Sequence, residues 1–304
     1  MELESRINSF EEYIKIVSAL AHPFAGDLPY GVKLLYRGQE NCDWSLLPKV
    51  ARGKESEVWV ALLDYERNLI ELAKNKFPDV FKQDMQPVDL LALLQHYGLP
   101  TRLLDVSANP LVALFFACQG EDEKDGEVTI LKKDIHHNAV YPITNGIADS
   151  YRLAEYGKIS LDSFLNLVKK QPYSAEHYNL FSMGNDQKDF NSNYVKGVCE
   201  KLIFVQSKEV SIRQKIQQGE FILFPNKIEN RFDNEPYFIN MIDEIPKDKE
   251  HIYSRIIINS DSKKEIRKQL SIFGVNKGTL FADNIDAVME YITSDVSRLT
   301  NLHR

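Results

Sequence analysis

The chain has 304 residues, of which 43% are hydrophobic and 27% are charged, and its formal net charge at pH 7 is −7. This balance is typical of a globular protein that buries a large core. The negative net charge argues against a general electrostatic grip on a nucleic-acid backbone, although it leaves room for a local basic groove.

The sequence has none of the usual features of a membrane or secreted protein. Its longest apolar run, Leu111 to Cys118, is far shorter than the roughly 20 residues of a transmembrane helix, and the acidic N-terminus carries no secretion signal. The three cysteines are widely separated and form no CxxC pair, so we interpret them as reduced thiols. The adjacent His136 and His137 cannot share one helical face, and the other histidines show no zinc spacing. We therefore expect a cytoplasmic protein with no membrane association and no metal site.

Helix and strand patterns alternate in the first third of the chain. Ser9, with Glu12 three residues later, predicts a capped first helix. The run GVKLLYRGQ (31–39) predicts a strand, and SEVWVALLDYERNLIELAKNKF (56–77) predicts a long amphipathic helix. The expected buried face of that helix consists of Leu62, Tyr65, Leu69 and Leu72. Another helix is expected in PVDLLALLQHY (87–97), which begins with a proline and is followed by a glycine.

Residues 95–120, QHYGLPTRLLDVSANPLVALFFACQG, join a polar segment to one of the most apolar runs of the chain. Pro100 keeps its predecessor out of the helical region, and TRLLDV (101–106) then predicts a short strand. Asn109 and Pro110 are typical of a helix start, and we expect the apolar helix that follows to lie in the core. GEVTILKK (126–133) predicts a strong strand.

The rest of the chain mixes the two kinds of element. Residues 134–200 give weak signals, with short helices expected near 148–156 and 160–170. Further along we expect strands at 201–206, 219–225 and 251–259, and helices at 207–218, 260–274 and about 283–299. Because strands and helices follow one another without regular βαβ alternation, the pattern favours an α+β fold. With no linker or repeat, the sequence predicts a single domain over residues 1–304, with a central mixed or antiparallel sheet flanked by helices.

Arg37 and Gln39 lie at the end of the first predicted core strand, where side chains reach the rim of a sheet. Gly38 between them lets a ligand or another backbone come close. A guanidinium binds phosphate groups through paired hydrogen bonds, as a nucleotide pyrophosphate requires. The alternative is a structural arginine that pairs with Asp105 or a backbone carbonyl, because an unpaired buried charge is costly. One arginine can serve both purposes.

The polar segment before the apolar helix supplies further candidate contacts. His96 and Tyr97, at a helix end, can stack on a base or a nicotinamide ring, or they can cap the helix and bond Asp105. Arg102, Asp105 and Ser107 either tie the core together or line a site that the core supports. Ser107 can also cap the following helix. Capping does not require Asp105, which makes this residue the more suggestive of the three.

Glu220 stands directly after Gly219, at the start of the predicted strand GEFILFP. A carboxylate in this position can stabilise the positive charge that develops when the bond between nicotinamide and ribose breaks. A solvent-facing strand residue is the alternative interpretation. Gln218 is a second polar candidate at the same turn.

Several of these motifs together resemble the FRG domain, a family named for its aromatic-Arg-Gly motif. The resemblance rests on Tyr36-Arg37-Gly38-Gln39, on Trp44 and Leu47-Pro48, and on LLQHYGLPTRLLDVSANPLVALFFAC. It continues through IRQKIQQGEFILF, with Arg213, Gln218-Gly219 and Phe221, to LSIFGVNKGTLFADNIDAVMEYI, and so spans about residues 30–292. The family itself implies little about activity.

The order of Arg37, then Asp105 or Ser107, then Gln218 or Glu220 is similar to the order of site residues in ADP-ribosyltransferases. This similarity implies an ADP-ribosyltransferase-like fold and an enzyme that uses NAD, either transferring ADP-ribose to a protein or nucleic-acid acceptor or hydrolysing NAD. It implies Glu220 and Arg37 as catalytic residues. The implied cofactor contacts are Arg37, Gln39, His96, Tyr97, Arg102, Asp105, Ser107 and Gln218.

A different class of function fits the same residues. The chain can be a non-catalytic sensor module that binds a nucleotide or a protein, for example in stress or phage defence. A nuclease is less favoured, because the chain is acidic and lacks a paired-carboxylate metal motif.

Overall fold

A seven-stranded mixed sheet forms the centre of the protein. The computed structural model describes residues 3–24, 31–52, 62–120, 123–134, 141–153, 158–175, 191–208, 211–230 and 235–294. The strands are β1 (Glu4–Ile7), β2 (Val32–Gln39), β3 (Leu103–Ser107), β4 (Gly126–Asp134), β5 (Lys158–Ser160), β6 (Ile203–Val205), β7 (Gly219–Leu223), β8 (Lys227–Asn230), β9 (Pro236–Ile239) and β10 (Ser254–Ile258). In the central sheet they lie in the order β1-β10-β4-β2-β3-β7-β6, and β5-β9-β8 form a small second sheet.

Helices flank the central sheet. They are α1 (Phe10–Ala21), α2 (Glu66–Lys76), α3 (Pro87–His96), α4 (Pro110–Ala117), α5 (Tyr141–Ala148), α6 (Ser150–Leu153), α7 (Leu161–Lys169), α8 (Pro172–Ala175), α9 (Ser192–Cys199), α10 (Ile212–Ile216), α11 (Lys263–Ile272), α12 (Lys277–Leu280) and α13 (Ile285–Ser294). Among the described residues, only β1 and β10 pair in parallel in the large sheet, and its other pairs are antiparallel. The predicted α+β fold with a mixed sheet flanked by helices is confirmed. Among the described residues, no helix is long and apolar enough to cross a membrane.

Strand β2 is buried on both faces of the sheet. Leu34 and Tyr36 face a core that includes α1, α4 and α11, whereas Leu35 faces a smaller core on the other side. Helix α4 crosses β2 at very short range, since a Cβ atom on Gly38 would lie 1.9 Å from the carbonyl oxygen of Ala113. Glycine is therefore required at position 38, and the aromatic-Arg-Gly motif is in part a packing motif.

The start of α4 resolves one of the open alternatives. The Asn109 side chain accepts a hydrogen bond from the backbone N–H of Leu111, and Pro110 occupies the first helical position. Ser107 is not the cap. Its hydroxyl instead donates to the carbonyl of Gln217, 2.6 Å away, and thereby joins the end of β3 to the turn before β7.

The predicted helix at 56–77 is wrong in its extent and in its buried face. Residues 53–61 lie outside the described residues, a short 3₁₀ turn follows, and the α-helix begins at Glu66. Tyr65 and Leu72, expected inside, are 46% and 60% exposed, while Glu66 and Ile70 are buried. The apolar periodicity misled because the residue that decides the helix orientation is a buried glutamate.

Arg102 is the partner of that glutamate. It is 1% exposed, and its Nε and Nη2 atoms donate to the two carboxylate oxygens of Glu66. Its Nη1 donates to Ser150 Oγ at 2.9 Å and to Asn226 Oδ1 at 2.8 Å. Burying a guanidinium is costly unless its charge is paired and hydrogen-bonded. Arg102 meets this requirement by joining α2, α6 and the segment after β7 to the start of β3.

The helices predicted in the C-terminal third are confirmed as helices, but their bounds differ from the predicted ones. The helix expected at 207–218 covers only Ile212–Ile216 in the described residues, and the one expected at 260–274 runs from Lys263 to Ile272. The last predicted helix is preceded by a separate short helix, Lys277–Leu280, and runs from Ile285 to Ser294. Residues 295–299 of that prediction lie outside the described residues.

We predict that Arg102→Ala is strongly destabilising, because it leaves the Glu66 carboxylate buried without its cation. The expected loss in the free energy of unfolding is about 3–5 kcal/mol, measured by urea denaturation. Arg67→Ala removes an exposed arginine from α2, the helix that carries Glu66. It should change the free energy of unfolding by less than about 0.5 kcal/mol. Equal, small effects of the two variants would contradict a structural role for Arg102.

Candidate functional site

A cleft of about 370 Å³ opens where β2 and β3 meet. The ends of both strands, helices α3, α4 and α10, and the start of β7 contribute to its walls. Six of the residues singled out in the sequence line it: Arg37, Gln39, His96, Asp105, Ser107 and Glu220. The structure therefore brings most of the candidate residues to one place.

The cleft lies beside an incomplete seam in the sheet. In the described residues, β2 and β3 pair only at Tyr36 and Ser107. Ala108 N donates to Gln218 O, at the end of the β3–β7 pair. In an antiparallel pair, every second residue directs its N–H and C=O groups to the neighbouring strand. The peptide groups of Asp105 therefore point away from β7 and towards β2. Gly38 and Asp105 thus face each other across the seam without a ladder pairing, and both line the cleft.

Arg37 bridges this seam. Its Nη1 atom donates to the backbone carbonyl oxygen of Asp105 at 3.0 Å. Its Nε atom is buried and has no hydrogen-bond partner among the described residues, and the side chain as a whole is 19% exposed. Burial holds the pKa of the Arg37 guanidinium below its ordinary value; Asp105 acts in the opposite direction, and the nearby positive charge of Arg52 lowers the pKa further. Arg37 therefore places a largely buried cation with unused hydrogen-bonding capacity at the cleft.

Asp105 carries the exposed carboxylate of the cleft. Its side chain is 63% exposed, and Oδ2 lies 3.9 Å from Arg37 Nη1, too far for a hydrogen bond. The expected contact between Arg37 and Asp105 exists, but the close bond is made by the main chain of Asp105. The carboxylate itself is therefore not required to hold Arg37.

Gln39, Ser107 and His96 line the cleft from three directions. Gln39 is 3% exposed; its Nε2 donates to Ser45 O at 3.2 Å, while its Oε1 has no partner in the described residues. Ser107 is held by the hydrogen bond to Gln217. His96 does not bond Asp105, because its nearest acidic partner is Asp283, with 3.9 Å between Nε2 and Oδ2.

Three of the candidate residues lie away from the cleft. Arg102 is enclosed in the network with Glu66. Tyr97 is 64% exposed, and its ring packs edge-on against Phe81, with centroids 5.8 Å apart. Gln218 adopts a left-handed backbone conformation, with φ at 48°, and its carbonyl bonds Ala108. Geometry assigns these residues to the core, the surface and a turn, respectively.

Glu220 reaches the edge of the cleft, but its carboxylate is occupied. Its neighbour Phe221 packs in the core beneath α3, so strand alternation directs the Glu220 side chain to the opposite face of the sheet. There Oε1 accepts from Lys33 Nζ at 2.5 Å and Oε2 from Lys133 Nζ at 2.6 Å. Neither lysine lines the cleft.

The two lysines explain why an acid is needed at this position. Lys33 and Lys133 lie directly opposite each other on β2 and β4, where like charges repel. Burial alone would raise the pKa of Glu220, but the hydrogen bonds from Lys133 and Lys33 outweigh it and hold the pKa below its ordinary value. Glu220 therefore neutralises a lysine pair within the sheet.

Two cleft residues were named in the sequence for the family resemblance but were not predicted to be site residues. Trp44 lines the cleft and is 37% exposed. Arg213, on α10, also lines it, and its guanidinium lies 4.3 Å from the ring centre of Phe281. The sequence holds a signal for both, since a tryptophan in a polar loop and an arginine at a helix start are typical of binding surfaces.

We predict that Glu220→Gln lowers the free energy of unfolding at pH 7 by about 1.5–3 kcal/mol, since a charged hydrogen-bond acceptor between two cations is lost. The pKa of Glu220 in the folded protein lies below its unfolded value of about 4.3. The stabilisation is thus complete above that pH and disappears as the pH falls through the folded-state pKa.

Urea denaturation of both proteins at neutral and acidic pH measures this difference. The gap between wild type and variant should narrow below about pH 4. Glu229→Gln, which changes an exposed strand residue, is the matched control. It should leave the free energy of unfolding unchanged at both pH values. A Glu220→Gln gap that does not depend on pH would refute the ionic role.

Comparison with known proteins identifies one family. Residues 32–126 match the family model of the FRG domain, a range that starts with β2, includes β3 and α4, and ends where β4 begins. The resemblance expected for later residues, with Arg213, Gln218-Gly219 and Phe221, lies beyond the matched range. No curated protein and no solved structure matches the chain. Residues 32–126, which supply both strands of the seam, are therefore an FRG domain.

Proposed function

We propose that the protein binds a nucleotide of the NAD type in this cleft, with Arg37 holding its phosphate groups. The observation that carries the proposal is the state of Arg37. It is a largely buried cation with one hydrogen bond, to Asp105 O, and an Nε atom that lacks a partner among the described residues. A phosphate group would supply the hydrogen-bond acceptors that this guanidinium lacks and a negative charge in close contact with it.

The remaining walls of the cleft suit the other parts of a nucleotide. Trp44 and Phe116 offer aromatic surface for a base or a nicotinamide ring. Gly38 and Asp105, whose peptide groups face the unpaired part of the seam, can bond the edge of a planar amide or base. The volume of about 370 Å³ lies near the small end of the range of about 300–1,000 Å³ for ligand sites. It fits one nucleotide unit, so we expect part of a dinucleotide to extend out of the cleft.

Arg37→Ala should weaken the binding of NAD and ADP-ribose at least about tenfold, which corresponds to about 1.4 kcal/mol. The affinity of Arg37→Lys should lie between those of Arg37→Ala and wild type, because lysine keeps the charge but lacks the planar guanidinium group. Isothermal titration calorimetry measures these affinities. Arg67→Ala, an exposed arginine that does not line the cleft, is the control for loss of one positive charge.

Adenosine, which has no phosphate, should bind wild type and Arg37→Ala with the same affinity. Two results would contradict the proposal. One is the absence of binding by every nucleotide tested, and the other is an Arg37→Ala variant that binds NAD as well as wild type does.

A second candidate function is cleavage of NAD, either by hydrolysis or by transfer of ADP-ribose to a protein or nucleic-acid acceptor. It is favoured by the presence of Arg37, Asp105 and Ser107 in the walls of one cleft, whose edge Glu220 also reaches. Breaking the bond between nicotinamide and ribose produces an oxocarbenium-like centre that a carboxylate stabilises. For Glu220 to act in this way, its carboxylate would have to leave Lys33 and Lys133, which is why we place binding first.

Release of nicotinamide separates the two candidates. Wild type incubated with NAD should release nicotinamide if the protein is an enzyme, and Arg37→Ala and Glu220→Gln should each release it at least about tenfold more slowly. Binding of NAD without release would identify a nucleotide-sensing module. Equal release by wild type and both variants would exclude Arg37 and Glu220 as catalytic residues.

A further inference from the structure

The carboxylate of Asp105 is out of place in a cleft that binds phosphate. It is 63% exposed, it lines the cleft, and neither of its oxygens has a hydrogen bond within the described part of the chain. An anion so close to Arg37 weakens the attraction of that arginine for a phosphate group. Some other part of the ligand would have to offset this effect.

The structure does not need this carboxylate to position Arg37. The hydrogen bond of Arg37 is made to the backbone oxygen of Asp105, which any residue at this position would supply. Position 105 also lies on an exposed part of β3, so an acid is not required for packing. The carboxylate is thus free to contact a ligand.

Chemistry narrows what Asp105 can contact. An ionised carboxylate only accepts hydrogen bonds, which excludes phosphate groups and the acceptor edges of bases. With Oδ2 at 3.9 Å from Arg37 Nη1, a group bound to Asp105 must be a near neighbour of a phosphate bound to Arg37. In a nucleotide the ribose is that neighbour, and its two adjacent hydroxyl groups match the two oxygens of a carboxylate.

We infer that Asp105 recognises the ribose of the bound nucleotide by accepting hydrogen bonds from its 2′- and 3′-hydroxyl groups. This inference rests on the proposed function. It adds a specificity, because the same carboxylate repels a phosphate group attached at the 2′ position. The cleft therefore selects NAD over NADP and ribonucleotides over 2′-deoxyribonucleotides.

The alternative is that Asp105 acts only on the charge of Arg37. In that case Asp105→Asn would tighten the binding of every phosphate-bearing nucleotide alike, with or without a 2′-phosphate. The two explanations thus differ in the ratio of affinities between ligands, which a general change in charge does not alter.

The experiment measures the affinities of NAD, NADP, ADP-ribose and 2′-deoxy-ADP-ribose by isothermal titration calorimetry, with wild type, Asp105→Asn and Asp79→Asn. Asp79 is exposed and lies outside the cleft, so its variant carries the same change in net charge. Wild type and Asp79→Asn should prefer NAD to NADP, and ADP-ribose to its 2′-deoxy form, each by about tenfold or more. Asp105→Asn should lose most of both preferences, mainly because NADP binds more tightly.

The wild-type comparison of ADP-ribose with its 2′-deoxy form needs no variant, so it stands even if Asp105→Asn folds poorly. Equal wild-type affinities for NAD and NADP, or an unchanged ratio in Asp105→Asn, would overturn the assignment of Asp105 and leave nucleotide binding intact. If none of the four ligands binds wild type, both the assignment and the proposed function fail.

Discussion

The buried charge of Arg102 is the constraint on which the position of the cleft depends. A guanidinium with 1% exposure can persist only where its hydrogen bonds are satisfied, and its partners come from α2, α6 and the segment after β7. Since Arg102 immediately precedes β3, this network fixes the start of the strand. Three residues further along the same strand, Asp105 reaches the open seam. The start of β3 is therefore fixed inside the core, and Asp105, its exposed residue, lies at the cleft.

The charges of the sheet fall into two groups with different roles. Glu220 with Lys33 and Lys133, and Glu127 with Lys247 and Arg255, are sets in which one carboxylate meets two cations at hydrogen-bond distance. The opposite charges in such sets compensate each other, so they attract a charged ligand only weakly. Arg37 and Asp105 form an open pair, with 3.9 Å between the guanidinium and the carboxylate. Openness of this kind distinguishes a binding site from a structural ion pair, because each group keeps capacity for a third partner.

The sequence predicted the central helices and strands well, but it did not separate the structural residues of the polar segment from those that line the cleft. Strand β2, helix α3, the asparagine cap and α4 followed from local signals: apolar runs, Pro at a helix start and Asn before Pro110. The roles of Arg102 and Asp105 did not follow, because both lie in one short strand and both carry charges. Their difference depends on distant partners, Glu66 for Arg102 and Gly38 across the seam for Asp105, and a single sequence does not state such pairings. The same holds for Glu220, whose lysine partners lie 187 and 87 residues away in the chain.

A complete sheet could not hold this site. If β2 and β3 were paired beyond Tyr36 and Ser107, the peptide groups of Gly38 and Asp105 would bond each other and the cleft between them would close. Helix α4 packs against Gly38 so closely that no side chain fits there. The side chain of Arg37 spans the gap and supplies one bond to the main chain of Asp105. The aromatic-Arg-Gly motif thus combines three requirements of one seam: an aromatic residue anchored in the core, an arginine that bridges the strands, and a glycine that admits the helix.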